Sequence, residues 1–375
     1  MRFPKTAAAP ILRLRIFGIG LARMHVLMYN SPKESSIIVG RLMKNVVYLQ
    51  VDTTDPAFNL ALEEYVFEHM SRDREYLMMW RNANAIIVGR HQNTLAEINA
   101  DFVRSKGIQV VRRLSGGGAV YHDLGNLNFT FIMDAQPGQQ VDLRRFCEPV
   151  AEALCDMGAY AEVSGRNDIL IDGQKISGNA QYVRQGRVMH HGTILFDSDL
   201  SVLGQALQVD QAKIQAKGVK SVRSRVTTVR PHLKQDLTVL QFRDKLVESL
   251  LKDLSFTRYE LTPEDIAAVE ELRKEKYATW EWNYGTSPAC TVLRKRRIEG
   301  CGTVEAHILL DGSRIQRLKL LGDFFSTMEP EPLENRLTGC RLDAEDCAAA
   351  LAGCHVSDYI SGLSNAGLIE ILCDL

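Results

Sequence analysis

From Val46 onward, apolar positions recur either every second residue, as strands require, or at the roughly 3.6-residue period of helices. Val46–Val51 reads as a strand, and Asp55-Pro56 then supplies a helix cap and a proline at the first helical position. The helix runs to about Met70, with Leu60, Leu62, Tyr65, Val66 and His69 on one broad face and Glu63 and Glu64 on the other. Strands follow around Tyr76–Arg81 and Ala85–Gly89, then a helix near Leu95–Lys106 that stops at Gly107. Ile108–Leu114 is a strand, Ser115–Gly118 a glycine turn, and Ala119–Ile132 has the Val, Tyr, Phe and Thr content of strands. After a helix at Asp142–Met157, strand patterns appear at Asp168–Ile171, Lys175–Val183 and Val188–Phe196, joined by Asp172-Gly173 and Arg184-Gln185-Gly186 turns. Helical patterns cover Asp199–Val209, Thr238–Leu254 and Pro263–Tyr277; strands near Thr291–Ile298, Val304–Leu310 and Arg314–Leu321 precede short C-terminal helices.

These elements predict an α+β protein, and 375 residues are too many for one core. A natural cut near 258–275 divides the chain into a basic leader (1–42), a catalytic domain (43–257) and an accessory α+β domain (258–375). Residues 1–33 carry six Lys and Arg and no acid. A mitochondrial presequence and an over-long translation start before Met43 fit this leader equally, giving a matrix or a cytoplasmic location; it is too short in apolar run to span a bilayer.

Hydrophobic residues make up 45% of the chain and the formal net charge is -1, which excludes a disordered chain and any global attraction to nucleic acid or membrane. Eight cysteines contain no C-x-x-C pair, so no zinc ribbon or redox dithiol is expected. Cys340, Cys347 and Cys354 recur every seven residues among alanines, a pattern for core packing rather than metal ligation.

Chemistry concentrates around the glycines. In Arg112-Arg113-Leu114-Ser115-Gly116-Gly117-Gly118-Ala119-Val120-Tyr121-His122-Asp123, consecutive glycines leave backbone N–H groups free to meet an anion, or simply form a bulge. Alternation along the strand sends only one of the two arginines toward that loop. Neither a P-loop nor a Rossmann fingerprint is present. Lys175 follows a tight hairpin beside Asp168 and is either an exposed turn lysine or, with Mg²⁺ on the aspartate, a clamp on a phosphoryl group. His190 and His191 are neighbours on a strand, so they face opposite ways and cannot share one site.

The glycine segment, Gly165-Arg166-Asn167-Asp168, Lys175-Ile176-Ser177-Gly178 and His190-His191-Gly192-Thr193 together resemble the lipoate-protein ligase family, in the family's order. The resemblance runs from about Val46 to the end and implies a mixed, largely antiparallel catalytic sheet like that of biotin and lipoate ligases and class II aminoacyl-tRNA synthetases. It implies that lipoate and ATP give lipoyl-adenylate and pyrophosphate, after which a lysine of an apo lipoyl domain, on an E2 subunit or a glycine cleavage H protein, takes the acyl group. By resemblance Lys175 bridges lipoyl and phosphate oxygens, Asp168 holds magnesium, and Arg113, Gly118, Ala119, Val120 and Tyr121 contact ATP. Trp80, Gly117 and His191 would line the lipoate tunnel, and the basic segment containing Lys217, Gly218, Ser221, Val222 and Arg223 would close over the adenylate. A monomer with no nucleic-acid or membrane partner is expected. The competing readings are a cysteine-dependent octanoyl or lipoyl transferase of the same fold, with Cys147 as candidate thiolate, and a non-catalytic lipoyl-domain-binding relative.

Overall fold

The computed structural model describes residues 45–135, 142–165, 167–207, 226–252, 254–285 and 292–373. At the first helix, Pro56–His69, the Asp55 carboxylate accepts from the Ala57 and Phe58 amides, and Pro56 has no N–H to satisfy. The Asp172-Gly173 hairpin has positive φ at both residues, 50° and 77°, the geometry that suits the right-handed twist of the flanking strands.

In chain order the strands are β1 (Val46–Gln50), β2 (Glu75–Trp80), β3 (Ala85–Val88), β4 (Gln109–Arg112), β5 (Val120–His122), β6 (Asn126–Asp134), β7 (Ala161–Ser164), β8 (Asp168–Ile171), β9 (Gln174–Arg184), β10 (Arg187–Leu195), β11 (Phe256–Tyr259), β12 (Val292–Ile298), β13 (Gly302–Asp311) and β14 (Arg314–Gly322). Eight of them form one sheet in the order β11-β1-β2-β6-β10-β9-β8-β7. Its β11-β1-β2 edge is parallel and the remaining pairs are antiparallel, so the sheet is mixed and largely antiparallel within an α+β fold.

Alternation gives this sheet two faces. Val46, Tyr48, Leu77, Met79, Phe129 and Phe131 pack under the helices Leu143–Asp156 and Val239–Leu250. Val47, Leu49, Tyr76, Met78 and Trp80 face the Pro56–His69 helix and, beyond it, Val269 and Tyr277. A small sheet, β4-β3-β5, carries its own cluster against the Ala100–Ser105 and Leu200–Ala206 helices. The third sheet, β12-β13-β14, builds a separate core between Cys301 and Leu372.

Three elements differ from the sequence expectation. The helix expected at Leu95–Lys106 is two short helices, Thr94–Glu97 and Ala100–Ser105, because Ile98 leaves the helix to bridge Leu207. Strand β7 and strand β11 carry too little apolar alternation to be seen in sequence; β11 exists because β1 offers it a parallel edge. Cys347 and Cys354 are buried, one inside and one beyond the Ala344–Ala350 helix, rather than on one heptad face.

Candidate active site

A cavity of about 150 Å³ opens on the second face of the main sheet, between that sheet and the small one. Its floor follows from register. Trp80 of β2 pairs with Asn128 of β6, Asn128 pairs with Thr193 of β10, the Gly178 amide of β9 donates to Thr193 Oγ1 at 3.3 Å, and Gly178 pairs with Asp168 of β8. Same-face residues on neighbouring strands line up, so these five form one row across the sheet. The next row holds Thr130, His191 and Ala180.

Lys175 reaches this face through a bulge. Residues 175 and 178 are an odd number apart and would point to opposite faces of a regular strand. The β8–β9 register shifts between Ile169 and Leu170, which leaves Ile176 as the extra residue, fully buried on the opposite face. Lys175 is thereby turned toward Gly178, where an added Cβ would lie 2.9 Å from its Nζ. The amine pairs with Asp168 Oδ1 at 2.7 Å, and both side chains are partly open to solvent.

The glycine loop is held from inside. Arg113 donates Nε to Ser115 Oγ (3.0 Å), Nη1 to the Ile87 carbonyl (3.1 Å) and Nη2 to the Gly116 and Gly118 carbonyls (2.7 and 2.8 Å). Burial lowers this guanidinium to about 10, so it stays charged at neutral pH. Ser115 Oγ is 2.6 Å from His191 Nε2, and His191 Nδ1 is 3.0 Å from Glu63. Trp80 Nε1 donates to Thr130 Oγ1, whose hydroxyl donates to the same carboxylate, so Glu63 is the acceptor and His191 Nδ1 the donor. Arg112 points away: all three of its nitrogens bond to Gly89, Arg90, Gln92, Thr94, Trp282 and Asn283.

The segment after β14 also contributes. Phe325, just after β14, lines the cavity and lies 3.2 Å from where a Cβ on Gly117 would stand; Gly117 has φ of 91°, so a side chain there would strain the backbone and crowd the ring. The Gly117 amide donates to the Phe324 carbonyl at 3.2 Å, the Gly322 amide to the His91 carbonyl at 2.8 Å, and His91 stacks on Phe324 at 4.9 Å.

The cavity wall thus brings together Trp80, Arg113, Gly117, Gly118, Ala119, Val120, Lys175 and His191. Asp168 joins through its ion pair. Tyr121 turns its side chain off the cavity, donating its hydroxyl to Asn84 Oδ1 at 3.2 Å. Arg166, Lys217, Gly218, Ser221, Val222 and Arg223 lie outside the described residues. Glu63 is corrected: it is 1% exposed and faces His191 rather than solvent. Its position three residues after Leu60 and four before Phe67 already places it on the buried stripe. Phe325 has no such signal in the sequence. Cys147 is away from the cavity wall, and burial pushes its thiol up to about 12.

Two family models cover most of the chain: the lipoyl protein ligase A/B catalytic domain matches residues 55–251, and the bacterial lipoate protein ligase C-terminus matches 287–372. The class defined by fold and site is therefore a two-part ligase of the lipoyl type. Lipoate-protein ligase LplJ of Bacillus subtilis is 40% identical over 321 residues, 85% of this chain and 97% of that protein, and lipoate–protein ligase 1 of Staphylococcus aureus is 39% identical over 319 residues, with the same coverage. This chain belongs to the lipoate-protein ligase family. Among solved structures, Plasmodium falciparum LipL1 in complex with lipoate shares the fold, with a TM-score of 0.68 at 21% identity over 88% of this chain and 98% of that one. A lipoate-protein ligase A bound with ATP gives a TM-score of 0.56 at 27% identity over 65% of this chain and 100% of that one.

Proposed function

We propose that this protein is an ATP-dependent lipoate-protein ligase that makes lipoyl-adenylate and passes the acyl group to a lysine of an apo lipoyl domain. The observation that carries the reading is Lys175, an ammonium turned by a bulge onto the rim of a cavity whose remaining wall is largely apolar. When the lipoate carboxylate attacks the α-phosphorus of ATP, two anions approach, and a cation between them lowers the barrier by offsetting that charge. The carboxylate oxygen forms the new P–O bond and pyrophosphate leaves. In the second half-reaction a neutral acceptor amine attacks the acyl carbon, AMP departs, and the amine loses a proton. Gly118 supports the phosphate assignment: a Cβ built there meets nothing within 4 Å, so its backbone borders open space.

Magnesium fits the residues present. Asp168 offers one carboxylate, partly open to solvent and 2.7 Å from the Lys175 amine, the kind of single protein ligand that suits a cation bound mostly by phosphates and water. Bound there, it would neutralise phosphate charge. The basic segment with Lys217 and Arg223 is proposed as the adenylate cover, and apo E2 or H-protein lipoyl domains as acceptors. Among the described residues no helix is long and apolar enough to cross a membrane; a cytoplasmic monomer is our proposal. We also extend the catalytic unit beyond the 257/258 limit to Gly285, because β11 pairs with β1 and Val269 and Tyr277 join its core.

Lipoate-dependent exchange of labelled pyrophosphate into ATP tests the reading. It should be present in the wild type and fall by at least ~100-fold in Lys175→Ala; equal rates in the two proteins would sink the mechanism. Transfer from an acyl donor without ATP, lost in Cys147→Ser, is the result that would instead favour the thioester route.

A further inference from the structure

The cavity has a polar group at the end opposite Lys175. From β9 to β2 are three strand spacings, about 14 Å, so a medium-length acyl chain with its carboxylate at Lys175 ends near Trp80. Beside Trp80, with ring centroids 6.2 Å apart in an edge arrangement, stands His122, which lines the cavity and is 3% exposed.

Its proton is placed by two amides. Asn59 Nδ2 donates to the Thr53 and Arg81 carbonyls at 3.1 and 2.9 Å, which fixes that amide, and it also reaches Asn82 Oδ1 at 2.9 Å. Asn82 therefore turns its Nδ2 toward His122, 3.2 Å from Nδ1. An N–H facing Nδ1 makes that nitrogen the acceptor, so the ring proton lies on Nε2. Burial lowers this histidine to about 3, so it carries a single proton at neutral pH. Among the described residues nothing accepts from Nε2. The other cavity histidine differs: both nitrogens of His191 are engaged, by Glu63 and Ser115.

An N–H buried without an acceptor has lost its bond to water with nothing in return; Leu60, Trp80 and Ile87 line the same cavity with apolar surface, and Asn128, paired with Trp80, is a polar side chain there whose Oδ1 already accepts from Asn126. A ligand with an acceptor atom at this depth recovers that cost; a saturated chain does not. The sulfurs of a dithiolane ring are weak acceptors, and the end of octanoate offers only C–H. We propose that His122 Nε2–H is the specificity-determining group of the acyl pocket, selecting the sulfur-bearing acid over sulfur-free acids of the same size. The proposal rests on the ligase reading, and its test separates the two.

Pyrophosphate exchange and, without ATP, calorimetric binding are measured for lipoate, octanoate and cyclopentyl-pentanoate, the lipoate isostere whose ring sulfurs are CH2. The wild type should prefer lipoate to the carbocycle by about tenfold; His122→Phe, which removes the donor, should erase the preference, and His122→Gln, whose amide keeps an N–H at that reach, should retain it. The circular-dichroism spectrum and denaturation midpoint of each variant report that it is folded. No preference in the wild type, or an equal loss for all three acids in His122→Phe, overturns the proposal; the wild-type comparison needs no variant, so misfolding cannot shelter it. Exchange with octanoate but equal handling of the isosteres leaves the ligase reading intact, whereas no exchange with any acid removes both.

Discussion

Gly178 and Lys175 depend on each other. The glycine lets the lysine amine lie over β9, and a methyl at 178 would stand 2.9 Å from Nζ and 3.0 Å from Cε. The obstructing atoms are the free end of a flexible side chain, so Gly178→Ala should cost little stability while moving the amine. Since misplacing a reacting group by about 1 Å can cost on the order of 100-fold, Gly178→Ala should show a large fall in pyrophosphate exchange with an unchanged denaturation midpoint. Wild-type exchange in this variant would mean that the amine's position is unimportant. At this scale the sequence was informative about residue type and silent about partners. Lys175, Asp168, Arg113 and the glycines stand out in the chain, but Arg113 spends four N–H groups on Ile87, Ser115, Gly116 and Gly118 and so shapes the loop that would meet phosphate.

Among the elements, the junction of strand and helix around Arg112 is the most constrained. This 1%-exposed guanidinium bonds the Gly89–Thr94 turn to the Trp280–Tyr284 helix, and Asn283 Oδ1 in turn accepts from the Arg112 amide at 2.9 Å. A lysine has three donors on one atom and cannot reproduce the planar fork, so Arg112→Lys leaves buried carbonyls unpaired. We expect a loss of roughly 3 kcal/mol or more in denaturant unfolding; a change below about 1 kcal/mol would show that the turn and helix hold together without it. Most elements were legible from period and turn chemistry, including both hairpin turns around β9. Among those missed, the Trp280–Tyr284 helix included, β7 and β11 are short edge strands whose stability comes from the neighbour each extends, which no local pattern records.

Across the whole molecule, buried neutral histidines contribute to the acid limit of stability, beside carboxylates such as Asp265 and Glu305 that are held below their usual range. Desolvation lowers His91 and His122 from 6.5 to about 3 and takes His190 well below 6.5. Between those values the unfolded chain binds protons that the folded protein refuses, so the contribution of these groups is complete above pH 6.5 and is lost as pH falls toward about 3. Each such group contributes a slope of at most about 1.4 kcal/mol per pH unit. His91 sits where Gly322 and Phe324 of the second core meet the catalytic unit, so His91→Gln should flatten the acid limb of a stability–pH curve; an unaltered limb would assign the slope elsewhere. A second core was legible as strands and a hairpin after Trp282, yet its contact with the glycine loop was not.

The sequence by itself determined the α+β class, most helices and strands, the motifs that mark the family, and the opposite orientations of Arg112 and Arg113 and of His190 and His191, because local period and turn geometry fix which way neighbouring residues point. Only the tertiary structure decided which residues share the cavity. A one-residue bulge reverses Lys175, a helix delivers Glu63 to His191, two amides assign the proton of His122, and Phe325 arrives from the segment after β14. Each of these depends on register or packing between segments far apart in the chain, and such long-range contacts leave no periodic trace in the residues that make them.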